Sequence, residues 1–409
     1  MKKAIAITGN AGPKVRSDCE ITLELKDSGG KNIDLVSKVK ALYGDSIISL
    51  TSEILDFFGI RSASVKINDS GALPFVIAAR LESAIKKLII SELDYLPEFI
   101  QENGYSTTPE RFRFSRLYLP GNSPGLMINA GLHSADGIIL DLEDSVALEK
   151  KDEARILVRN ALRQIDFYGA ERMVRINQGD KGLEDLHFVI PQNVNLILIP
   201  KCESADYVKK VDDEISAIKV KFNLKNRVFL MPIIESALGI ENSFKIARSS
   251  ENVVAIAIGL EDYTDDLGVA RTTEGRESLY ARSRLIVAAK AAGIQPIDSV
   301  FSDVSDMKAL KENVIESKAM GFEGMGCIHP RQIPVIQQGF SPDENEIEKA
   351  KKIVFAFEAA KQKGLGVVAL GSKMIDPPVV ARAQKTIDRA LRLGILSGNW
   401  SDNIPVNDI

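Results

Sequence analysis

Between about residue 115 and residue 330 the chain alternates between two hydrophobic rhythms. Short, nearly unbroken apolar runs recur: RLYLPG (116–121), ADGIILDLED (135–144), RMVRIN (172–177), NLILIPK (195–201), VFLMPIIE (228–235), VVAIAIGLED (253–262), IQPIDSVF (294–301) and GMGCIHP (324–330). Apolar runs that do not alternate with polar residues read as strands buried on both faces of a parallel sheet. The stretches between them carry a helical rhythm. Ala154, Leu157, Val158, Ala161, Leu162 and Ile165 step along one helix face, and a later helix ends at AAKAAG with Gly293 placed to cap it. Eight βα units in roughly 215 residues predict an α/β fold, a (β/α)8 (TIM) barrel over residues 115–340. An open doubly wound sheet is the alternative, but no GxGxxG follows the first strand.

The flanks have other patterns. Residues 1–92 predict a separate small α/β domain with the order β-α-β-α. Its strands are CEITLEL (19–25) and ASVKI (63–67), and its helices cover 46–60 and 72–90. In the second helix Phe75, Ile77, Ala78, Leu81 and Ile85 suit one buried stripe. Residues 93–114 read as a linker, or as a loop over the second domain. As a flexible coil their roughly 20 residues would span on the order of 25 Å. Residues 341–409 predict C-terminal helices and a flap. FSPDENEIEKAKKIVFAFEAA is a helix capped by Ser341 or Asp343. GLGVVALGSKMIDPP suits a mobile flap, VVARAQKTIDRALRLGIL is a last helix, and the tail WSDNIPVNDI is aperiodic.

Composition narrows the classes. The chain has 409 residues, 45% hydrophobic, and its 26% charged residues nearly cancel to −4. That balance gives no reason to expect nucleic acid or an anionic membrane as partner. Cys19, Cys202 and Cys327 are far apart, which fits a reduced, cytoplasmic compartment. The apolar run in MKKAIAITGNAG is too short for a signal peptide, and no run reaches the ~18 apolar residues of a membrane helix.

The chemistry lies where the apolar runs end. Asp141, Glu143 and Asp144 follow the second, Arg175 and Asn177 the third, Lys201 the fourth, Glu235 the fifth, Glu261 and Asp262 the sixth, and His329 the eighth. In α/β barrels the C-terminal strand ends form the reactive rim. Glu235 and Asp262 are 27 residues apart, one βα repeat, so they fall on adjacent strands and are placed to share a hard divalent cation, Mg2+ or Mn2+. An arginine opposite would hold a carboxylate in a bidentate fork. Each group also has a plainer reading. A strand-end carboxylate can cap the next helix, and Asp141 suits a structural role better than Asp144 does. Lys201 can balance the acids or serve as a Schiff-base nucleophile. His329 suits structural hydrogen bonding.

LDLEDSVALEKKDEAR, VRIN, IPK, IIESALGI, GLEDYTDDLG, RTTEG, IHPRQI and GSKMIDPPVV, in that order, resemble the citrate lyase β subunit and its relatives in the HpcH/HpaI aldolase superfamily, across residues 116–390. The resemblance implies a Mg2+-dependent retro-Claisen lyase that cleaves a citryl-thioester to oxaloacetate and an acetyl-thioester. It implies that Glu235 and Asp262 ligate the metal, that Arg175 holds a substrate carboxylate, and that Asp144 stands beside the metal and its waters. Asp376, in the MID motif, would reach a neighbouring subunit's site as acid/base, which implies a homo-oligomer, a trimer. In the N-terminal domain GALPFVIAARLESAI resembles the "GAL…ARLEA" helix of the citrate lyase acyl carrier (γ) subunit. AGPKVRSDCEI resembles that subunit's prosthetic-group site, with Arg16 where the family often has an acid. Ser17 would then carry a covalent phosphoribosyl-dephospho-CoA arm, and an acyl-exchanging citrate lyase α subunit would be the partner. The alternatives are a citramalyl- or malyl-CoA lyase, a pyruvate-type class II aldolase, and a non-catalytic carrier or assembly subunit.

Overall fold

A computed structural model describes residues 5–362, 367–370 and 373–400. The N-terminal lysines Lys2 and Lys3, part of the expected flap (363–366 and 371–372) and the aperiodic tail from Ser401 lie outside the described residues.

The N-terminal unit is a four-stranded sheet backed by two helices. Its elements are β1 (Ile5–Gly9), β2 (Cys19–Leu25), β3 (Lys31–Ser37), α1 (Lys40–Phe57), β4 (Ala63–Asp69) and α2 (Pro74–Leu88), with strand order β1-β2-β4-β3. The order is therefore β-β-β-α-β-α rather than the expected β-α-β-α. The two additional strands are the sheet edges. β1 leaves Ile5 and Ile7 exposed, and β3 buries only Leu35, so neither carries the apolar density of a central strand.

α2 explains how this unit is attached. Every residue from Phe75 to Ile85 is buried. Ile77, Ala78, Leu81, Ala84 and Ile85 face the N-terminal core, while Phe75, Val76 and Ala79 face the core around the barrel. A helix apolar on both sides is a buried helix, here shared by two cores, so Phe75 leaves the stripe that the sequence suggested.

The second unit is the barrel. Its strands are β5 (Ser115–Pro120), β6 (Gly137–Asp141), β7 (Glu171–Arg175), β8 (Leu196–Ile199), β9 (Phe229–Ile234), β10 (Ala255–Ile258), β11 (Gln295–Ile297) and β12 (Met325–Cys327). Six fall within the predicted runs, and β5 and β7 each begin one residue earlier. They pair in parallel in the order β11-β10-β9-β8-β7-β6-β5-β12. A single bridge, Asp298 to Met325, links the two ends of the sheet into a nearly closed barrel. Ile139, Met173, Leu196, Leu198, Phe229, Met231 and Ile297 fill its lumen. Around it run α3 (Pro124–Met127), α4 (Lys151–Gln164), α5 (Gly179–Val189), α6 (Ala205–Lys221), α7 (Ala237–Ala247), α8 (Leu260–Asp266), α9 (Leu279–Ala292), α10 (Met307–Met320) and α11 (Gln332–Phe340). None of the described helices is long and apolar enough to cross a membrane.

Residues 93–114 are pinned along the barrel, not free as a coil. Arg159 donates to the carbonyl of Tyr95 and Arg163 to that of Pro97, and Arg172 donates to the carbonyl of Tyr105. At the end where the strands begin, Arg113 grips Glu171 at 2.7 and 2.8 Å.

Charged pairs hold the two units together. Arg159 of α4 forks onto Glu82 of α2 at 2.9 and 2.7 Å, with both side chains buried. Glu153 of α4 accepts the Gly9 backbone N–H at 2.9 Å and pairs with Lys87 at 2.6 Å. Arg80 of α2 forks onto Asp18 at 3.0 and 2.9 Å and donates to the Asn122 carbonyl at the barrel rim.

At the C-terminus α12 (Glu344–Gln362) opens with a capping box. Glu346 N–H donates to Asp343 and the Asp343 N–H donates back to Glu346, so Asp343 rather than Ser341 is the cap. A hairpin, β13 (Val368–Leu370) with β14 (Lys373–Ile375), leads to α13 (Pro377–Arg392). α12 and α13 share a small core of Ile353, Val354, Ile375 and Ile387, separate from that of the barrel.

Candidate active site

The strand ends converge as barrel geometry requires. Asp141 and Arg175 are register partners at the ends of β6 and β7. Arg175 forks onto Asp141 with bonds of 2.6 and 2.7 Å, and its Nη1 reaches Glu143 at 2.9 Å. Burial alone would raise the Asp141 pKa; the guanidinium outweighs it and holds the carboxyl below its ordinary value. Burial opposes the charge of Arg175, but Asp141 more than compensates and keeps it firmly protonated. Glu143, also buried, is pushed up despite Arg175.

Lys201 follows β8 in a left-handed conformation, with φ +44°. This turn aims its backbone N–H at Glu235 Oε2, 2.7 Å away. Its Nζ lies 3.2 Å from Asp262, 3.6 Å from Asp144 and 3.7 Å from Glu143. Burial disfavours the ammonium, but Asp262 and its acidic neighbours prevail and raise its pKa. A Schiff-base lysine needs the opposite shift. Lys201 balances the acids.

Glu235 follows β9 and is 6% exposed. Burial pushes its carboxyl up to about 7, against the Lys201 N–H and with the help of Asp262. Gly259, just beyond β10, makes room for it, because a Cβ there would lie 2.4 Å from Glu235 Oε1. Asp262 stands in the first turn of α8, facing Lys201.

Five carboxylates (Asp141, Glu143, Asp144, Glu235 and Asp262) thus surround two cations, Arg175 and Lys201. The negative excess and the all-oxygen donor set fit a hard divalent cation. Among the described residues no three ligating side chains meet at one point. The site therefore fits a cation held by one or two carboxylates, with water and substrate oxygens completing the shell, as Mg2+ accepts.

These groups open on a cavity of about 870 Å³ that runs from the rim into the lumen, lined by Asp141, Asp144, Arg175, Glu235 and Asp262 and, further in, by Tyr118 and Arg116. Two residues named from the sequence stand elsewhere. Asp376 caps α13, accepting the Val379 N–H at 3.2 Å, and is not part of this cavity wall. Ser17 lies in the β1–β2 loop with φ +55°. Its neighbours Arg16 and Asp18 line a second cavity of about 640 Å³, which shares Gly125 and Leu126 with the first. Glu261 pairs with Arg271, and His329 Nδ1 accepts the Arg331 N–H. Asn177 is tied to Asp185. Sequence reasoning missed Arg116, Tyr118 and Gly259. The first two open a strand run and read there as its flank.

Residues 115–330 match the family described as HpcH/HpaI aldolase/citrate lyase, and residues 7–88 match the acyl-carrier family described as malonate decarboxylase delta subunit (MdcD). The chain is 38% identical over 284 residues to citrate lyase subunit beta of Leuconostoc mesenteroides subsp. cremoris, covering 69% of this chain and 94% of that protein. It is 34% identical over 307 residues to the human mitochondrial citramalyl-CoA lyase, covering 70% and 89% respectively. A structure of the CitE protein of Mycobacterium tuberculosis with magnesium, acetoacetate and coenzyme A superposes with a TM-score of 0.57 at 28% identity, over 69% of this chain and 99% of that one.

Proposed function

Because the chain belongs to the HpcH/HpaI aldolase/citrate lyase family, we propose that it is a Mg2+-dependent lyase that cleaves a citryl-thioester to oxaloacetate and an acetyl-thioester. The observation that carries this reading is the strand-end cluster, in which Glu235 just beyond β9 and Asp262 just beyond the adjacent β10 stand in an excess of carboxylates beside a fixed arginine. Glu235 and Asp262 would hold the metal. Bound there, Mg2+ would supply Lewis-acid polarisation of the substrate's hydroxyl and carboxylate oxygens.

The remaining work falls to side chains. Two N–H groups of Arg175 donate to Asp141 and its Nη1 ion-pairs with Glu143, which leaves guanidinium donors for a substrate carboxylate. Asp141 therefore orients the residue that orients the substrate. In the cleavage, the bond between the carbinol carbon and the thioester methylene breaks. The hydroxyl proton passes to Asp144 in this proposal, and the ketone of oxaloacetate forms. The bonding pair becomes the thioester enolate, whose carbon takes a proton from Asp376. Asp376 stands apart from the cavity of its own chain, so this role assigns it to a neighbouring copy in a homo-oligomer, a trimer.

The N-terminal domain completes the proposal as an acyl carrier with the phosphoribosyl-dephospho-CoA arm on Ser17 and a citrate lyase α subunit as acyl-exchanging partner. Its match to the acyl-carrier family supports this. The test is oxaloacetate release from citryl-CoA by the full chain. Chelation should stop it and Mg2+ or Mn2+ restore it, and full turnover after exhaustive chelation refutes the proposal.

A further inference from the structure

Five arginines are among the largest fully buried side chains: Arg80, Arg113, Arg116, Arg159 and Arg172. Four have oxygen partners. Arg80 forks onto Asp18, Arg113 onto Glu171 and Arg159 onto Glu82, and Arg172 donates to the carbonyls of Asn193 and Tyr105. Arg116 differs. Its Nη1 donates to the thioether of Met231 at 2.9 Å, a weak acceptor, and its buried Nε has no partner. No carboxylate among the described residues pairs with it, since Glu171, the acid whose charge it feels, is held by Arg113.

A buried guanidinium without a counter-ion is costly, and its surroundings do nothing to relieve that cost. Arg116 is in the inward phase of β5, as is Tyr118, whereas Leu117 and Leu119 face the surrounding helices. The lumen about it is apolar, with Ile139, Met173, Phe229 and Met231. One side of the residue opens on the 870 Å³ cavity, whose other end holds Glu235, Asp262 and Arg175. The two ends of one cavity thus carry separate anion-binding equipment.

We infer that Arg116 forms a second carboxylate subsite at the inner end of this cavity, binding the carboxymethyl group that distinguishes a citryl from a citramalyl substrate, and oxaloacetate from pyruvate. This rests on the lyase reading of the rim. The rim would take the carboxylate and hydroxyl common to both substrates. Arg116 decides what the remaining arm of the carbinol carbon must be. A carboxylate pairs with the cation; a methyl group leaves it bare and excludes the water that could substitute. Tyr118, next in the inward phase of β5, lies between the two ends of the cavity, its ring centroid 5.4 Å from the Arg175 guanidinium.

The experiment is calorimetric titration of the full chain in saturating Mg2+ with oxaloacetate and, separately, with pyruvate. Wild type is expected to prefer oxaloacetate. Arg116→Met, which fits beside Met231, is expected to lose roughly a hundredfold in oxaloacetate affinity, the scale of removing one partner of a buried charge pair, with pyruvate changed less than about twofold. Arg116→Lys is expected to keep part of the preference. Arg116→Gln repeats the measurement in a variant that leaves the lumen polar, so the result does not depend on whether the methionine variant folds. Equal affinity of wild type for both acids, or an equal loss of both in the neutral variants, overturns the subsite. The lyase reading is judged separately, on the metal dependence of citryl-CoA cleavage, so the two failures are told apart.

Discussion

An acid at the end of an apolar run is easy to see in a sequence, because charge interrupts a pattern that has no other reason to stop. Asp144, Glu235 and Asp262 were legible in that way, and so was Arg175. What each carboxylate does was not legible, because partners such as Lys201 N–H and Gly259 come from other strands. The local energetics lead to two predictions. Glu235→Gln or Asp262→Asn is expected to lower citryl-CoA turnover roughly 10³-fold, since a bound metal supplies several kcal/mol at about 1.4 kcal/mol per decade. The melting temperature of Glu235→Gln should not fall, because the buried carboxyl forms no ion pair and Gln keeps the acceptor for Lys201 N–H. The second concerns Lys201. Its raised pKa predicts that borohydride added with oxaloacetate or pyruvate traps no adduct, read as an unchanged protein mass. A mass increase at Lys201 would convert the enzyme into a Schiff-base aldolase. Arg116 escaped sequence reasoning because a charge at the start of a run looks like its polar border. Only the inward phase of β5 and the closure of the barrel bury it.

At the scale of elements, legibility followed burial. The barrel strands are dry on both faces and were visible as apolar blocks, even β11 and β12 with three residues each. The edge strands β1 and β3 lie half in water, and their alternation is too weak to stand out from a loop. Helix starts depended on side-chain chemistry. The Asp343 box was foreseeable, whereas Asp376 turned out to cap α13 in its own chain. That cap shapes the test of its proposed catalytic role. Asn caps as well as Asp, so Asp376→Asn is expected to leave stability within a few tenths of a kcal/mol yet abolish turnover. Asp376→Ala should lose about 1 kcal/mol as well. If the aspartate serves a neighbour, inactive Asp376→Asn mixed with inactive Glu235→Gln is expected to regain partial turnover after subunit exchange. Exchange demonstrated by mass spectrometry of the intact assembly, without recovery, would assign Asp376 to the helix cap alone.

At the scale of the molecule, two domains that read as separable are clamped. Neither the clamp nor the two-sided burial of α2 has a local signature, because Arg80 and Glu82 meet Glu153 and Arg159 some 70 residues later in the chain. Glu153 sets the pH range. Burial would raise its pKa, but the Gly9 N–H, Lys87 and Lys150 outweigh it, so the folded value lies below the ordinary 4.5. Its contribution is full above about pH 4.5 and is lost as pH falls through the lower folded value. Small-angle scattering is therefore expected to show the domains loosening only below about pH 4.5, and Glu153→Gln loosening at higher pH. The closed clamp also sets how a Ser17-bound arm would be used. The Arg16 carbonyl abuts Gly125, where a Cβ would lie 2.8 Å away, and Gly125 borders both cavities. An arm on Ser17 would start beside its own chain's cavity, tethered at high effective concentration. Ser17→Ala chains mixed with Glu235→Gln chains, the latter first verified by mass to bear the arm, are then expected to regain little carrier-dependent cleavage with the α subunit present. Adding Glu153→Gln to both chains should free the carrier and raise the recovery severalfold. Full recovery with the clamp intact would mean that the arm serves a neighbouring barrel, and that the docked position is one stop on a longer swing.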